Sequence, residues 1–417
     1  MTPCSCVYLG VSNLKILFIH EVSWRKKVVY EIHDFPELLS LQGHEVSFLE
    51  YDEDEGNLSS EPFQLTKGLL RSTSVMSRGY EGSKVRIVTP TRFLPGMFGR
   101  ILAVLLHPIS VWHELKHNRP DVVVLYGIPT NGWQAVSICK HFKVPVLLRA
   151  IDVSHQLRKT ALSPLIRMAE RFVYRHADEV SANNAALAKY VNKTRKANSP
   201  IDVLLPGVDL QRFKPAEKPI DLMNKYRIHQ QDKVILFMGT LFRFSGLYEL
   251  IQSAVQVLHA DPRLKIVIIG DGEDRARIGA KIVELQLEEK VICVGRIEYD
   301  DLPSYLLLGD VAVLPFLQMD VTEFAFPGKV LQYLSVGLPT ISVHLKGLES
   351  TFPPDSGFIF TSSPEEMVAQ CLEVLGNHEY RLSLSNLGRK RMEEMCNWDS
   401  QVAKFEKLLL DSIGNYK

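Results

Sequence analysis

The segment DVAVLPFLQMDVTEFAFPGKVLQYLSVGLPTISV, from Asp310 to Val343, decides the fold. It begins with an apolar run that stops at Pro315, passes through a polar loop, and has helical spacing from Val330 to Val336. Gly337 and Pro339 end that helix, and a second apolar run follows. A strand, a loop, a helix and a strand in so short a stretch predict a βαβ unit, because parallel strands need a crossover connection.

The loop and helix start of this unit define where a ligand is expected. Open parallel sheets bind ligands beyond the carboxyl ends of their strands, where helix N-termini present free N–H groups. The segment from Glu323 to Gln332 occupies that position. We therefore expect the functional site to be built around it.

Length and composition restrict the class of protein. A chain of 417 residues is too long for one ordinary core and suits two α/β domains. Lys plus Arg and Asp plus Glu are equal at 48 each, so the overall charge gives no reason to expect a nucleic-acid partner. The six cysteines are scattered, which favours buried reduced thiols in a cytoplasmic protein over disulfides or a metal site. We predict no metal.

Two alternating α/β regions are separated by a linker. Short apolar strands alternate with helical stretches from Lys15 onward, which is typical of a doubly wound domain. Pro206 to Asp209 and Phe213 to Pro215 break the pattern, and the alternation restarts at Val234. This predicts an α/β protein with two Rossmann-like doubly wound domains facing a cleft. The predicted units are 1–207, 208–390 and a C-terminal helical segment, 391–417, that packs back towards the first domain.

Several short motifs follow one another in the second half. They are Gly239-Thr240-Leu241, Ser245-Gly246-Leu247, Ile269 to Glu273, Val294-Gly295-Arg296, Asp301 to Tyr305, and Pro327 to Pro339. In this order and spacing the chain resembles the retaining glycosyltransferases of family 4, also called group 1, which have the GT-B fold. The first half resembles the family more weakly, through Gly43 to Val46 and through the linker.

The resemblance implies a division of labour between the domains. The first would hold the acceptor, and the second would bind a nucleotide sugar as donor substrate. It further implies transfer with retention of anomeric configuration, without a required metal or other cofactor. The expected donor is a UDP-sugar, and the expected acceptor is a saccharide or a lipid-linked saccharide.

The diphosphate-binding positions depart from the family pattern. The family usually has an Arg and a Lys after the first strand of the second domain, and here these positions hold Thr240 and Ser245. Arg243 lies between them and could replace the missing charge, or it could be a solvated loop residue.

Lys329 is the second replacement that we expect. It opens the helix after the loop, where a solvated cation would oppose the helix dipole, and a bound anion would explain it. We predict that Lys329 and Arg243 bind the diphosphate together with backbone N–H groups near Gly239 and Gly328.

The contacts to the sugar and the nucleoside are also altered. Family members carry Glu-x7-Glu here, with the first Glu on the donor sugar and the second on the ribose. Gln332 stands at the second position, and its amide can still bond hydroxyl groups, more weakly than a carboxylate. The first position falls on Phe324, so we assign the sugar contact to Glu323, for which the alternative is a surface carboxylate. Arg296 and Ile297 are placed to meet the base.

Asp152 is the candidate on the acceptor side. The family often has His-Asp after the strand that here ends near Arg149, and this chain has Ile151-Asp152 instead. Asp152 would contact the acceptor or the sugar. His155 would be a structural histidine or a further site residue, and Arg149 would reach the diphosphate or form a buried ion pair.

The stretch from Phe93 to Trp112 is the best membrane candidate. Prolines and glycines interrupt it, and its longest apolar run is shorter than the roughly 20 residues that a span needs. Its apolar side chains stand beside basic ones, namely Lys84, Arg86, Arg92 and Arg100. Such a stretch suits a helix lying on an anionic membrane, and the alternative is an ordinary core helix.

Three functions fit these residues. The first is a glycosyltransferase of the hexosyltransferase type. The second is a catalytically weak nucleotide-sugar-binding partner protein, which the substitutions Thr240, Ser245, Ile151 and Gln332 favour. The third is a nucleotide-sugar epimerase of the same fold, which the Pro-x-Lys helix start makes less suitable.

Overall fold

The structure is a computed structural model that describes residues 13–50, 71–90, 96–126, 131–157, 163–195, 200–353 and 356–416. The first domain contains an eight-stranded sheet. Its strands are β1 (Lys15–Ile19), β2 (Glu45–Leu49), β3 (Arg71–Met76), β4 (Val85–Pro90), β5 (Val122–Tyr126), β6 (Val146–Ala150), β7 (Glu179–Ala182) and β8 (Asp202–Val203). Its helices are α1 (Glu31–Leu41), α2 (Gly96–His117), α3 (Gly132–Phe142), α4 (Ser154–Leu157), α5 (Ser163–His176) and α6 (Ala185–Arg195).

The first sheet has the strand order β3-β4-β2-β1-β5-β6-β7-β8. Every pair is parallel except β3 with β4, which is antiparallel. The central strands are buried on both faces because helices cover both sides, and this explains their continuous apolar runs. The sequence analysis did not predict β3, because RSTSVM is too polar for an apolar run and pairs only at the sheet edge.

The second domain contains a six-stranded parallel sheet in the order β11-β10-β9-β12-β13-β14. Its strands are β9 (Lys233–Met238), β10 (Leu264–Ile269), β11 (Val291–Gly295), β12 (Val311–Leu314), β13 (Thr340–Val343) and β14 (Phe358–Thr361). Its helices are α7 (Ile220–Lys225), α8 (Leu247–Ala260), α9 (Arg275–Glu284), α10 (Leu302–Leu306), α11 (Asp320–Glu323), α12 (Lys329–Ser335), α13 (Lys346–Glu349), α14 (Pro364–Gly376) and α15 (His378–Met395). The predicted βαβ unit is β12, α12 and β13, with β12 and β13 paired directly.

The last helix, α16 (Trp398–Tyr416), lies against the first domain rather than the second. Trp398, Phe405 and Leu409 belong to the apolar core that also contains Phe35 of α1. The Trp398 and Phe35 rings meet edge to face with centroids 5.0 Å apart. The chain therefore crosses between the domains twice, once at the linker and once between α15 and α16.

Arg389 of α15 holds the first of these crossings in place. Its guanidinium donates hydrogen bonds to the carbonyl of Phe213 in the linker, at 2.7 Å, and to the carbonyl of Ser335 at the end of α12, at 2.8 Å. The linker is thus bonded to the helix that carries the candidate site.

Replacing Trp398 with alanine should destabilise the first domain. The ring is almost fully buried, and large-to-small changes of this kind cost about 3–5 kcal/mol. Urea unfolding of Trp398→Ala should show this loss, whereas Leu410→Ala, on the exposed side of the same helix, should change stability by less than about 0.5 kcal/mol. Equal losses would mean that α16 is not anchored by Trp398.

Candidate functional site

Lys329, in the second domain, is a cation without a counter-ion in the part of the chain that the structure describes. Its ammonium lies over the rings of Phe237 and Phe316, 4.6 and 5.1 Å from their centroids. No carboxylate or carbonyl within the described residues accepts a hydrogen bond from it. Burial lowers the pKa of Lys329 to about 7, since desolvation disfavours the charged form. Two aromatic faces offset part of that cost, and an anionic ligand would supply the missing charge.

The turn after β9 is shaped around this ammonium. Gly239 has φ of +145°, and a Cβ atom at this position would overlap the Lys329 ammonium. Any side chain here would therefore displace Lys329. The N–H of Gly239 donates to the carbonyl of Ile269 at 2.9 Å, and whether a backbone group near Gly239 binds ligand stays a prediction. The N–H groups of Thr240 and Gly328 make no hydrogen bond with any described residue and remain available.

The two positions where the family has cations differ in exposure. Ser245 is completely buried, and its hydroxyl has no partner among the described residues. Arg243, in a single 3-10 turn from Arg243 to Ser245, is exposed and forms no ion pair with a described residue. The carbonyl of Phe244 accepts a hydrogen bond from Leu317 at 2.9 Å, which ties this turn to the segment that contains Phe316. Lys329 thus brings its charge to the same turn from a different element, α12.

The predicted nucleoside contacts lie on one side of Lys329. Gln332 is one turn further along α12, and its side chain lies beside the hydroxyl of Tyr299. Tyr299 belongs to the loop that begins with Arg296 and Ile297, directly after β11. Arg296 is exposed, whereas Ile297 packs against the core of the second domain. The sequence analysis missed Tyr299, because no motif links it to α12.

Glu323 and Phe324 meet the first domain. The Glu323 carboxylate forms an ion pair with Lys346, and whether it contacts a sugar stays a prediction. The Phe324 ring lies 5.1 Å from the ring of Tyr190, and its carbonyl accepts a hydrogen bond from the Asn184 amide at 3.1 Å. The position at which the family has a carboxylate therefore carries an apolar contact between the domains.

Asp152 lies on the opposite wall of the cleft. It accepts a hydrogen bond from the Ser154 hydroxyl at 3.3 Å, and burial beside the Glu170 carboxylate raises the pKa of Asp152 to about 7. Helix α4, which begins at Ser154, contacts α11, so the Asp152 and Glu323 segments face each other. His155 bonds Glu170 through Nδ1 at 2.6 Å, which gives this histidine a structural partner.

Arg149 does not reach the cleft. It is completely buried, and its Nε and Nη2 atoms donate to the two carboxylate oxygens of Glu31 at 2.9 and 3.1 Å. The expectation of a diphosphate contact is wrong, and the buried ion pair is the observed arrangement. Arg149 lies on a central strand and points under α1, so its ion-pair partner is Glu31 of that helix, inside the first domain.

Family models match both domains. The model described as Glycosyl transferases group 1 matches residues 220–391, and the model described as Glycosyltransferase Family 4 matches residues 31–212. This chain belongs to the group 1 glycosyltransferases. It is therefore a glycosyltransferase enzyme with the GT-B fold, as the resemblance predicted.

Curated relatives of this glycosyltransferase are distant. It is 20% identical over 309 residues to N-acetyl-alpha-D-glucosaminyl L-malate synthase of Bacillus anthracis, a match that covers 72% of this chain and 77% of that one. It is 24% identical over 210 residues to a GDP-mannose-dependent monoacylated alpha-(1-6)-phosphatidylinositol monomannoside mannosyltransferase of Corynebacterium glutamicum. That second match covers 49% of this chain and 54% of the mannosyltransferase.

Solved structures share the fold along nearly the whole chain. Sucrose-phosphate synthase of Thermosynechococcus elongatus superposes with a TM-score of 0.77 at 16% identity, covering 96% of this chain and 99% of that one. HepE of Anabaena in complex with UDP-glucose superposes with a TM-score of 0.72 at 14% identity, covering 96% and 100%. At these identities the likeness concerns the fold.

Removing the Lys329 charge should stabilise the protein. The pKa of Lys329 in the folded chain, about 7, is below the ordinary value of 10.5, so the unfolded chain binds more protons between these pH values. Stability should therefore rise with pH over that window. Lys329→Met should abolish this rise and increase the free energy of unfolding at pH 7 by at least about 1 kcal/mol, since one pKa unit corresponds to about 1.36 kcal/mol.

Urea unfolding at several pH values would measure both effects. Lys189→Met, at an exposed position of α6, is the matched control and should leave the pH dependence unchanged. A loss of stability in Lys329→Met would show that the ammonium has a favourable partner in the folded chain.

Proposed function

We propose that this glycosyltransferase takes a nucleoside-diphosphate sugar, most suitably a UDP-sugar, and passes the sugar with retention to a saccharide or a lipid-linked acceptor. The observation that carries the proposal is the half-buried Lys329 ammonium at the carboxyl end of β9, which has no ion-pair or hydrogen-bond partner among the described residues. The diphosphate would bind there, on the second domain, and closure about the linker would then assemble the cleft.

The donor contacts follow from the charges around Lys329. The leaving diphosphate gains negative charge in the transition state, and a cation already desolvated beside it stabilises that charge more than a cation in water would. Arg243, at the solvent side of the turn, would bind the same group with the free N–H groups of Thr240 and Gly328. Gln332, which lies beside Tyr299, would bond the ribose hydroxyls, and Arg296 and Ile297 would meet the base.

The acceptor would enter from the first domain. Asp152, with a pKa raised to about 7, could exchange a proton with an acceptor hydroxyl near neutral pH. Glu323 would contact the donor sugar after giving up its ion pair with Lys346. HepE is described in complex with UDP-glucose, whereas the Corynebacterium relative is named as dependent on GDP-mannose, so both nucleotides belong in the test.

A surface on helices α2, α3 and α5 suits an acceptor held in a membrane. It consists of exposed apolar side chains, namely Leu105, Ile109, Trp112, Trp133, Leu165 and Met168. Exposed arginines follow on α5: Arg167, Arg171 and Arg175. We call these residues the three-helix surface. Apolar side chains next to basic ones fit the interface of an anionic membrane.

The three-helix surface changes the earlier membrane prediction. Arg86 is bonded to Glu114 and Ser47 inside the first domain and is not a lipid contact. Arg92 and the side chain of Arg100 lie outside the described residues. Helix α2 continues from the candidate stretch to His117, and no described helix is long and apolar enough to cross a bilayer. The contact that we propose uses the arginines of α5, and whether Arg92 and Arg100 contact lipid stays a prediction.

Lys329→Met should weaken UDP binding by about ten- to a hundredfold, because a charge-assisted hydrogen bond contributes about 1.5–3 kcal/mol. Affinity of the wild type should fall as pH rises from 7 to 9, since binding needs the protonated lysine. Calorimetric titration of UDP into wild type, Lys329→Met and the control Lys189→Met would measure this. An unchanged dissociation constant in Lys329→Met would remove Lys329 from the diphosphate site.

Product analysis with UDP- and GDP-sugars distinguishes the alternative functions. Slow donor hydrolysis or transfer is expected of an active transferase. Binding without either reaction would favour the non-catalytic partner protein, and recovery of an epimerised sugar would favour the epimerase.

Reversing two charges on the three-helix surface should release the protein from membranes. Each basic residue near an anionic bilayer contributes about 1 kcal/mol, so Arg167→Glu with Arg171→Glu should abolish co-sedimentation with anionic vesicles at low salt. The control is the equal charge change Lys214→Glu with Lys407→Glu, at exposed positions elsewhere. If the wild type does not sediment with the vesicles at low salt, the proposed membrane contact is contradicted. That result would not affect the proposal that the second domain binds the donor.

A further inference from the structure

A cavity of about 320 Å³ lies at the hinge between the two domains. Ala185 and Leu205 of the first domain form one wall, and Thr351 of the second domain forms the other. Helices α15 and α16 close it with Arg391 and Lys404. None of the donor or acceptor residues proposed above lines it. Small-molecule sites commonly have volumes of about 300–1,000 Å³ and lie preferentially at domain interfaces.

Two cations line the cavity without a full set of acceptors. Arg391 donates from Nη2 to the carbonyl of Thr351 at 3.3 Å, while its Nε atom is buried and has no acceptor among the described residues. Lys404 is exposed and forms no ion pair with a described residue. One carboxylate, Glu394, also lines the cavity and lies 3.9 Å from Lys390. The remaining terminal nitrogen of Arg391, Nη1, makes no hydrogen bond with a described residue and is not among the buried atoms, so a ligand in the cavity can reach it.

The remaining lining is partly apolar. Val203 and Leu205 of the first domain and Met395 of α15 contribute it. A guanidinium fork is complementary to carboxylate and phosphate groups, and apolar side chains take a carbon skeleton. The lining therefore fits a small molecule with both features better than a bare inorganic ion.

We propose that this hinge cavity binds a small organic anion. Its carboxylate or phosphate group is held by Arg391 and Lys404, and its carbon skeleton lies against Leu205 and Met395. This site is separate from the donor site and does not depend on the proposed function.

Both walls of the cavity are joined to the loop that carries Glu323. Ala185 follows Asn184, whose amide bonds the carbonyl of Phe324. Thr351 follows α13, where Gly347 approaches Phe324 so closely that a Cβ atom would lie 2.8 Å from the same carbonyl oxygen. An anion bound between the walls therefore stabilises the contact between Phe324 and the first domain. It should raise the affinity of the cleft for UDP, and UDP should raise the affinity for the anion by the same factor. This coupling, unlike the site itself, rests on the proposed function.

Benzoate and phenyl phosphate are suitable probes, with benzyl alcohol as the uncharged match and inorganic phosphate as the match without a ring. Thermal stabilisation of the full chain would be titrated at constant ionic strength. We expect saturable stabilisation by benzoate, phenyl phosphate or both, and none by benzyl alcohol. Tighter binding of benzoate would identify a carboxylate as the preferred group, and tighter binding of phenyl phosphate would identify a phosphate. If inorganic phosphate stabilised the protein as much as both ring anions do, the proposal of an organic ligand would be overturned.

The variants locate the site. Arg391→Gln should lower the affinity for the anion by about ten- to a hundredfold. Lys404→Gln, at an exposed position that should not disturb folding, should lower it by about two- to fivefold. Lys407→Gln, outside the cavity on the same helix, should leave the affinity unchanged. An equal loss in Lys404→Gln and Lys407→Gln, or no saturable effect in the wild type, would overturn the proposal.

Lys329→Met separates the two sites. Anion binding that survives in this variant supports the hinge cavity, whereas binding lost in Lys329→Met and retained in Arg391→Gln would place the anion at the diphosphate site and overturn the proposal. For the coupling we expect benzoate or phenyl phosphate to raise UDP affinity by about fivefold or more. Anion binding in a protein that does not bind UDP would contradict the proposed function alone.

Discussion

The Lys329 ammonium imposes the strictest physical constraint on the second domain. Removing a cation from water is costly unless it is paired, and among the described residues two aromatic faces partly compensate Lys329. The surrounding elements accommodate it: Gly239 leaves room for the amine, β12 ends at the segment that supplies Phe316, and α12 starts at Lys329. This arrangement is suboptimal for stability in the absence of an anion and favourable for binding one, as expected where function and stability compete.

The contact between the domains depends on residues that replace family features. Phe324 stands where the family has a carboxylate and packs against Tyr190, while its carbonyl is bonded to Asn184. The linker is held by Arg389, and α16 returns to the first domain through Trp398. The loop that carries Glu323 and Phe324, the linker and the last helix are therefore connected, so that a ligand at the hinge and a ligand in the cleft would both act on one domain arrangement.

Substitution of the usual cations has a coherent structural explanation. Ser245 is buried in the turn after β9, and Lys329 brings a positive charge to that turn from α12. Electrostatic stabilisation depends on where the charge is, and not on which element carries it. The loss of two family residues is therefore compatible with an active site, provided that a diphosphate completes the charge of Lys329.

The sequence alone determined the fold class, the family and the position of the loop before α12. Apolar runs, glycines and prolines act locally, so their order along the chain is sufficient to predict a βαβ unit and the start of α12 at Lys329. The polar edge strand β3 was not predicted, because it has no apolar run and its stability comes from pairing with β4. Only the tertiary structure decided the partners of charged side chains. Arg149 forms an ion pair with Glu31, 118 residues away, whereas Lys329 contacts two aromatic rings and has no ion-pair partner among the described residues. Such contacts join residues that are distant along the chain, and the free energy of a charge depends on the atoms that surround it in space.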